Sequence, residues 1–334
     1  MLRFNCLNVF LSMNIKFIDL FAWVWWFHLA LENLWAKCVA AVEIDHPARK
    51  TYTNFYQNKD KELFEKNLFF WDIREVKAEE LPDCNIMCGW FPCQAFSIAW
   101  YRKGFEDDRW NLFFEIARLA KIKKPDVLFL ENVKNLTAHD WWNTFKVIVW
   151  TLEDMWYHVK HRVLNSCEYW WVPQNRERIY IVAFKNKKHY DKFEFPEPLK
   201  LVKPLDEILE KWKVDNKYYY NWKPLYDKLK DEVTEKWVFY QWRRIYVRKN
   251  KSWVCPTLTA NMWTWWHNVP IILDDYWIRK LTPKETFRLQ WFDSVLDNLP
   301  MNLPDSQLYK QAGNAVTVWT VQRIAENIIK SMED

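Results

Sequence analysis

Three short stretches carry residues that could perform covalent chemistry. In CGWFPCQAFS, residues 88–97, Cys93 follows a proline just beyond an apolar run. A thiol at the carboxyl end of a strand, where open α/β sheets place their ligands, becomes a nucleophile once a positive charge or a helix N-terminus lowers its pKa. In ENV, residues 131–133, Glu131 sets a carboxyl at the end of another apolar run, where a raised pKa would let it donate a proton or a hydrogen bond. In PQNRERIYIVAF, residues 173–184, Arg176 and Arg178 alternate into a strand, so both would point the same way and suit a phosphate or a carboxylate. Each has an ordinary alternative: a buried structural cysteine, a capping or salt-bridging Glu131, and a solvated strand edge for the two arginines.

The elements that must position these residues alternate between short apolar runs and amphipathic stretches from residue 15 to about 185, the signature of a parallel α/β sheet. The runs predict strands over Lys16–Phe21, Cys38–Glu43, Asn85–Cys88, Val127–Glu131 and Ile179–Phe184. Between them the spacing predicts a helix over Asn111–Lys124, with Leu112, Ile116, Leu119 and Ile122 on one face, lysines in the last turn and Pro125 as its stop. After Phe184 the chain turns to KNKKHYDKFEFPEPLK, and the region to about Tyr276 is rich in Tyr, Trp, Lys and Arg without a βα rhythm. Helical spacing returns in LTPKETFRLQ and LYKQAGNAVTVWTVQRIAENIIK.

Composition narrows the class. The chain has 334 residues, half of them hydrophobic and 27% charged, with a net charge of +5 that permits an anionic partner. No run approaches 18 uncharged apolar residues, so no membrane span is expected. The opening MLRFNCLNVFLSMNIK lacks a basic cluster and a small-residue cleavage site, and reads as an extension, with Met13 an alternative start. Seven irregularly spaced cysteines suggest reduced thiols and a cytoplasmic setting. Cys84, Cys88 and Cys93 have no second Cys/His cluster, so no metal is expected. Glycine is the anomaly: ordinary usage of ~7% would give roughly 23, and the chain holds 3, beside 25 tryptophans. The simplest reading is an ordinary sequence in which tryptophan has largely replaced glycine.

In this order, these pieces resemble the C5-cytosine DNA methyltransferases, the bacterial restriction-modification enzymes in particular, over nearly the whole chain. The resemblance rests on FIDLFA, FPCQAFS with the following KGFEDDR, ENVKN, PQNRERIYIVAF, LTPKETFRLQ and QAGNAV. It implies an α/β fold: a Rossmann-like adenosylmethionine-dependent methyltransferase domain with a smaller, irregular target-recognition domain. The implied bounds are an extension over 1–14, a catalytic and cofactor-binding domain over 15–185, target recognition over 186–276, and a segment returning to the catalytic domain over 277–334. Cys93 would supply a thiolate to C6 of cytosine, Glu131 would hold the ring at N3, Arg178 would lie near the base, and Arg176 near the phosphate or the active-site loop. The target base would be flipped out of duplex DNA, and the loop from Phe96 to Arg109 would close over it. The resemblance also implies a monomer.

For S-adenosylmethionine it implies Phe21 beside the turn, Glu43 and the adjoining Ile44 at the ribose, Asp72 at the adenine amino group, and Asn314 closing the far side. Glu43 as a cap for the His46 helix and Asp72 as a turn residue stay open. For DNA it implies Gln94 and Ser97 next to the nucleophile, Thr257 and Leu258 in CPTLTA near the bases, and a phosphate-contacting run in QWRRIYVRKNK, with Arg243 and Arg244 leading and Arg248, Lys249 and Lys251 following. As a charge run alone, that stretch is more often a solvated face.

The departures from the family pattern fall on its glycines. Phe-Ala-Gly-x-Gly-Gly reads FAWVWW here, and tryptophan also stands at 71, 90, 100, 110, 171, 263, 265, 266 and 291. A non-glycine residue in the left-handed region costs ~1 to 2 kcal/mol. An indole facing the cofactor adds a steric block. The rival reading is therefore a DNA-binding protein of the same fold with no catalytic activity.

Overall fold

The apolar runs read from the sequence form the middle of one sheet. The computed structural model describes residues 14–24, 26–91, 112–138, 143–169, 172–199, 205–251, 254–265, 268–290, 296 and 302–333. By its internal contacts the chain divides into a first unit of Met1–Leu164, Glu177–Pro196 and Val321–Asp334, and a second of Asn165–Arg176 and Glu197–Thr320. The boundaries expected at 185/186 and 276/277 differ from this division. The Lys- and Pro-rich stretch after Phe184 forms a short helix, Lys187–Lys192, followed by the buried Phe193, whose ring meets Phe184 at 5.2 Å. The compositional change therefore marks a solvated helix face within the first unit.

In the first unit seven strands, β1 (Lys16–Leu20), β2 (Lys37–Val42), β3 (Phe69–Phe70), β4 (Ile86–Trp90), β5 (Val127–Val133), β6 (His158–Asn165) and β7 (Glu177–Phe184), stand in the order β3-β2-β1-β4-β5-β7-β6. The pairs from β3 to β5 are parallel, whereas β7 runs antiparallel to β5. Strand order reverses between β1 and β4, which opens a crevice at their carboxyl ends. Both faces are covered, so β1, β4 and β5 are buried almost throughout, which is why they read as uninterrupted apolar runs.

Helices α1 (Trp26–Glu32), α2 (His46–Tyr56), α3 (Lys61–Glu65), α4 (Leu112–Lys123) and α5 (Asn143–Asp154) belong to this unit, with the short helix Lys187–Lys192. Ile18 and Leu20 share a core with Phe113, Ile116 and Leu119 of α4 and with Ile148 and Leu152 of α5. Each such side chain contributes about 1.5 to 3 kcal/mol on burial. On α4 the buried positions are Phe113, Ile116, Ala117, Leu119 and Ala120, and Ile122 is exposed. The expected stripe is thus rotated: Phe113, Ala117 and Ala120 lie on the buried side, and Ile122 lies off it. Asp45 caps α2 by accepting the Ala48 amide at 3.0 Å, with Pro47 in the first turn.

Three of these helices end in the same way. After α1, Ala36 N donates to Leu31 O and Trp35 N to Glu32 O. After α3, Leu68 N donates to Leu63 O and Asn67 N to Phe64 O. After α5, Tyr157 N donates to Leu152 O and Trp156 N to Glu153 O. This paired pattern places the residue after the cap in the left-handed region, usually as glycine. Here the residues are Trp35, Asn67 and Trp156, at φ 64°, 55° and 66°. Trp23 and Trp237 are also left-handed, at 49° and 61°. Of these tryptophans the sequence singled out only Trp23. Trp71, Trp90 and Trp263, which it also singled out, are not left-handed. Trp25, Trp100, Trp110, Trp171, Trp266 and Trp291 lie outside the described residues.

In the second unit an antiparallel sheet of β8 (Tyr240–Trp242), β9 (Val247–Lys249), β10 (Pro270–Leu273) and β11 (Ile278–Lys280) has the order β11-β10-β8-β9. Tyr240, Trp242 and Ile271 pack on Tyr220, Leu225, Leu229 and Val238. Helices α6 (Pro283–Arg288) and α7 (Asp305–Asn314) follow; the last helix, Val318–Met332, belongs from Val321 onward to the first unit.

Candidate active site

The parallel register of β4 and β5 sets Trp90 opposite Glu131. Cys93 comes three residues later and, with Gln94, Ser97 and the loop from Phe96 to Arg109, lies outside the described residues. Glu131 is buried, and its Oε1 lies 3.0 Å from Arg178 Nε. Arg178 reaches it from β7, whose antiparallel register places Arg178 beside Val133. Arg178 Nη1 also donates to Glu177 O at 2.7 Å. A guanidinium that holds a buried carboxyl fixes its orientation. Asn132 Nδ2 donates to Phe91 O at 2.7 Å, tying the chain just before Cys93 to β5. Asn132 was not among the residues singled out from sequence; its place in ENV, next to a candidate acid, was the available signal.

Arg176 corrects an expectation. It precedes β7, so the strand alternation that would align it with Arg178 does not apply. Its guanidinium is buried within the second unit and donates to Leu258 O and Gly313 O, each at 3.0 Å. It braces two loop carbonyls there, and its contacts and those of Arg178 belong to different units.

At the carboxyl end of β1, Phe21 has a φ of 58° and Trp23 one of 49°. The Trp23 amide donates to Glu43 Oε2 at 2.8 Å and the Asp45 amide to Oε1 at 2.6 Å. Glu43 is 4% exposed, and burial pushes its carboxyl up to about 7 despite those two amides. Trp23 and Trp26 are buried and meet the Trp90 ring edge-on at 6.3 and 6.2 Å, and Phe21 lies 6.5 Å from it. Ile44 is exposed. Asp72, just past β3, accepts from Arg74 Nε at 2.9 Å, and that guanidinium holds its carboxyl below the usual carboxylate range. Beside it a pocket of about 490 Å³ is lined by Phe70, Trp71, Asp72, Glu75, Val76 and Arg49, among others. Arg49, which the sequence did not single out, lies over the Phe69 and Trp71 rings at 3.8 and 3.9 Å and donates to Glu43 O at 2.9 Å.

S-adenosylmethionine requires an acceptor for its ribose hydroxyls and another for its adenine amino group. Glu43 and Asp72 stand at the carboxyl ends of neighbouring strands with that chemistry. Two of the roughly four lone-pair positions on the Glu43 carboxylate are taken by amides. These acceptors fit the group, while the turn beside them carries the Trp23 and Trp26 indoles.

In the second unit, Arg243 Nη1 donates to Asn268 Oδ1 at 2.9 Å, and Arg244 sits exposed in the β8–β9 hairpin at φ 66°. Thr257 is solvent-accessible and donates to Asn175 O. Leu258 is buried, and its backbone holds Arg176 and Gln174. Its side chain therefore packs inside the unit rather than facing a base. Asn314 ends α7 half-buried. A Cβ on Gly313 would come 2.2 Å from the Thr259 carbonyl carbon, so this glycine is required by close packing of main chain. LTPKET forms a capping box at α6, with the Thr282 amide donating to Glu285 Oε2 at 2.7 Å and the Glu285 amide to Thr282 Oγ1 at 3.3 Å. Glu285 also takes Arg279 Nη1 and Nη2 at 2.8 Å each. That motif is therefore structural.

Among the described residues no group of three or more His, Cys, Asp or Glu could hold a metal, and no helix is long and apolar enough to cross a membrane. Residues 15–330 match the family described as C-5 cytosine-specific DNA methylase. The chain is 46% identical over 323 residues to the type II methyltransferase M.Bsp6I of Bacillus sp. (strain RFL6), covering 95% of this chain and 99% of that one. It is 36% identical over 332 residues to the type II methyltransferase M.HhaI of Haemophilus parahaemolyticus, covering 96% and 95%. Its fold matches the crystal structure of the S. pombe Dnmt2 methyltransferase with a TM-score of 0.71 at 17% identity, covering 96% of this chain and all of that one. The chain belongs to the C-5 cytosine-specific DNA methylases of restriction-modification type.

Proposed function

We propose that the chain methylates C5 of a cytosine flipped from a specific site in duplex DNA, through a covalent adduct with Cys93. The observation that carries this reading is the buried Glu131–Arg178 pair, set across from Trp90 three residues before Cys93. The Cys93 thiolate adds through sulfur to C6, the electron pair of the C5–C6 bond makes C5 nucleophilic, and Glu131 supplies a proton at N3 so that the adduct carries no net charge. Arg178 holds Glu131 in place for that contact. Glu43 and Asp72, with Phe21 and Ile44 beside them, would hold S-adenosylmethionine, which would supply an electrophilic methyl group to C5. Once C5 carries the methyl group, a solvent water takes the C5 proton, the C5–H electron pair re-forms the C5–C6 double bond as the Cys93 sulfur leaves C6 as thiolate, and N3 returns its proton to Glu131. The test is transfer of labelled methyl to mixed-sequence duplex, beside Cys93→Ala. We expect label in the DNA from the native chain and none from the variant. Equal label from both would refute the role of Cys93.

One observation favours a second reading, binding of duplex without transfer: Trp23 and Trp26 pack on Trp90 beside the cofactor donors. DNA affinity that falls steeply with salt yet ignores added S-adenosylmethionine, with no label transferred, would select this reading.

A further inference from the structure

The run QWRRIYVRKNK is divided by its own strand geometry. Tyr240 and Trp242 of β8 turn into the core of the second unit, so Gln241 between them turns to the other face. The antiparallel register sets Arg248 of β9 directly opposite Gln241, while Lys249 falls opposite Tyr240 and pairs with Glu235. Asn250 continues the parity of Arg248 and is anchored by its own amide, which donates to Phe239 O at 2.9 Å. Gln241, Arg248 and Asn250 line one pocket of about 470 Å³, together with Arg243, Thr257 and Asn268.

Most charges elsewhere in the second unit have partners, but this face differs. Asn250 is 8% exposed, yet its Nδ2 donor meets no acceptor. Leaving a buried amide without an acceptor is unfavourable, and Asn250 lines this pocket, so the pocket is complementary to an acceptor from outside. Among the described residues neither the Arg248 guanidinium nor the Gln241 amide has a side-chain partner. Arg243 is held by Asn268 at the rim.

We propose that this face reads base edges in the target site, with Arg248 donating to the O6 and N7 of a guanine, and Asn250 and Gln241 addressing its neighbour. The inference rests on the reading above that duplex DNA is the substrate. Guanine presents two acceptors in the major groove, which match the paired donors of a guanidinium, whereas a phosphate contact would need neither the buried amide nor the cross-strand partner. Arg248 is thereby separated from Lys249, its neighbour on the opposite face.

The test is selection of bound sequences from a randomised duplex library, a readout that does not depend on methyl transfer, with the native chain, Arg248→Ala, Arg248→Lys, Asn250→Ala and Lys249→Ala. The native chain should enrich a site containing a guanine at which both Arg248 variants lose preference by about one to two orders of magnitude. The lysine variant keeps the charge, so its loss would come from geometry. Asn250→Ala should lose preference at the adjacent position. Lys249→Ala should keep the site intact. Because Asn250 is buried, its variant is read only beside a matching thermal melt, and exposed Arg248 carries the test if that melt is lowered. Arg248 variants that weaken all sequences equally, or that keep the native preference, would overturn the inference alone. No duplex retained by the native chain at low salt would overturn the underlying DNA reading as well.

Discussion

The carboxylate at the turn after β1 and the polar side chains on the face of β8 and β9 differ in how far neighbours occupy them. At the turn, Glu43 accepts the Trp23 and Asp45 amides, and the buried Trp23 and Trp26 pack edge-on against the half-buried Trp90. On the β8–β9 face, Arg248 is exposed and unpaired among the described residues, and Asn250 holds a buried donor without an acceptor. A carboxylate that already accepts two amides, with indoles packed around it, gains less from a new ligand than one left open, although the Trp26 and Trp90 indole N–H groups beside it meet no acceptor among the described residues. A region with unsatisfied atoms gains from the first complementary ligand. The difference sets the turn after β1, where tryptophans pack around Glu43, apart from the β8–β9 face, where Arg248 and the Asn250 amide keep open donors.

The largest test of that contrast is the Glu43 carboxyl. Its pKa is about 7 in the folded chain against 4.5 for the free group. Between those values the folded state binds the proton more tightly, so Glu43 contributes most to stability below pH 4.5, and that contribution is lost as pH rises through about 7. The shift corresponds to on the order of 3 kcal/mol. Urea denaturation of the native chain and of Glu43→Gln at pH 5 and pH 8 should show the native chain losing stability across that interval and the variant losing much less. Equal pH dependence in both would mean that Glu43 is more hydrated than a closed turn allows.

Next in size is Trp23→Gly, where two effects compete. Removing a buried indole costs about 3 to 5 kcal/mol, and releasing the left-handed strain returns about 1 to 2. The net expectation is a loss of roughly 2 kcal/mol, with a gain in S-adenosylmethionine affinity by calorimetry. Stability and affinity moving in opposite directions would sharpen the contrast between the two regions. An unchanged affinity would break it, because the indole would then not be what limits the turn.

What the sequence made legible follows from burial. Strands β1, β2, β4, β5 and β7 lie in a sheet covered on both faces, so each left an apolar run. HVKHRVLN of β6 is largely half-buried or exposed and left none, and the strands of the second sheet span only three or four residues. Glu131 and Arg178 were each visible as chemistry, but their pairing needs the antiparallel register of β7, which no local pattern encodes. Arg176 misled because alternation was read across a strand start. Gln241 and Asn250 were missed because a charge run was read as one patch, whereas a strand gives alternate residues to opposite faces.

The smallest prediction isolates backbone strain from everything else. Trp156 stands at the position after the α5 cap with φ 66°, and its side chain is 86% exposed, so it has almost no packing to lose. Trp156→Gly should therefore stabilise the chain. Relief of ~1 to 2 kcal/mol in the left-handed region is offset in part by the greater freedom of glycine when unfolded, roughly 0.5 to 1 kcal/mol. The expected gain is less than about 1 kcal/mol, read as a higher urea midpoint at unchanged slope. The same residue type at Trp23, with a similar φ but a buried ring, should give the opposite sign. If both variants gained stability, the indoles at the turn would be packing no better than one in water, and the closed character of that region would have to be given up.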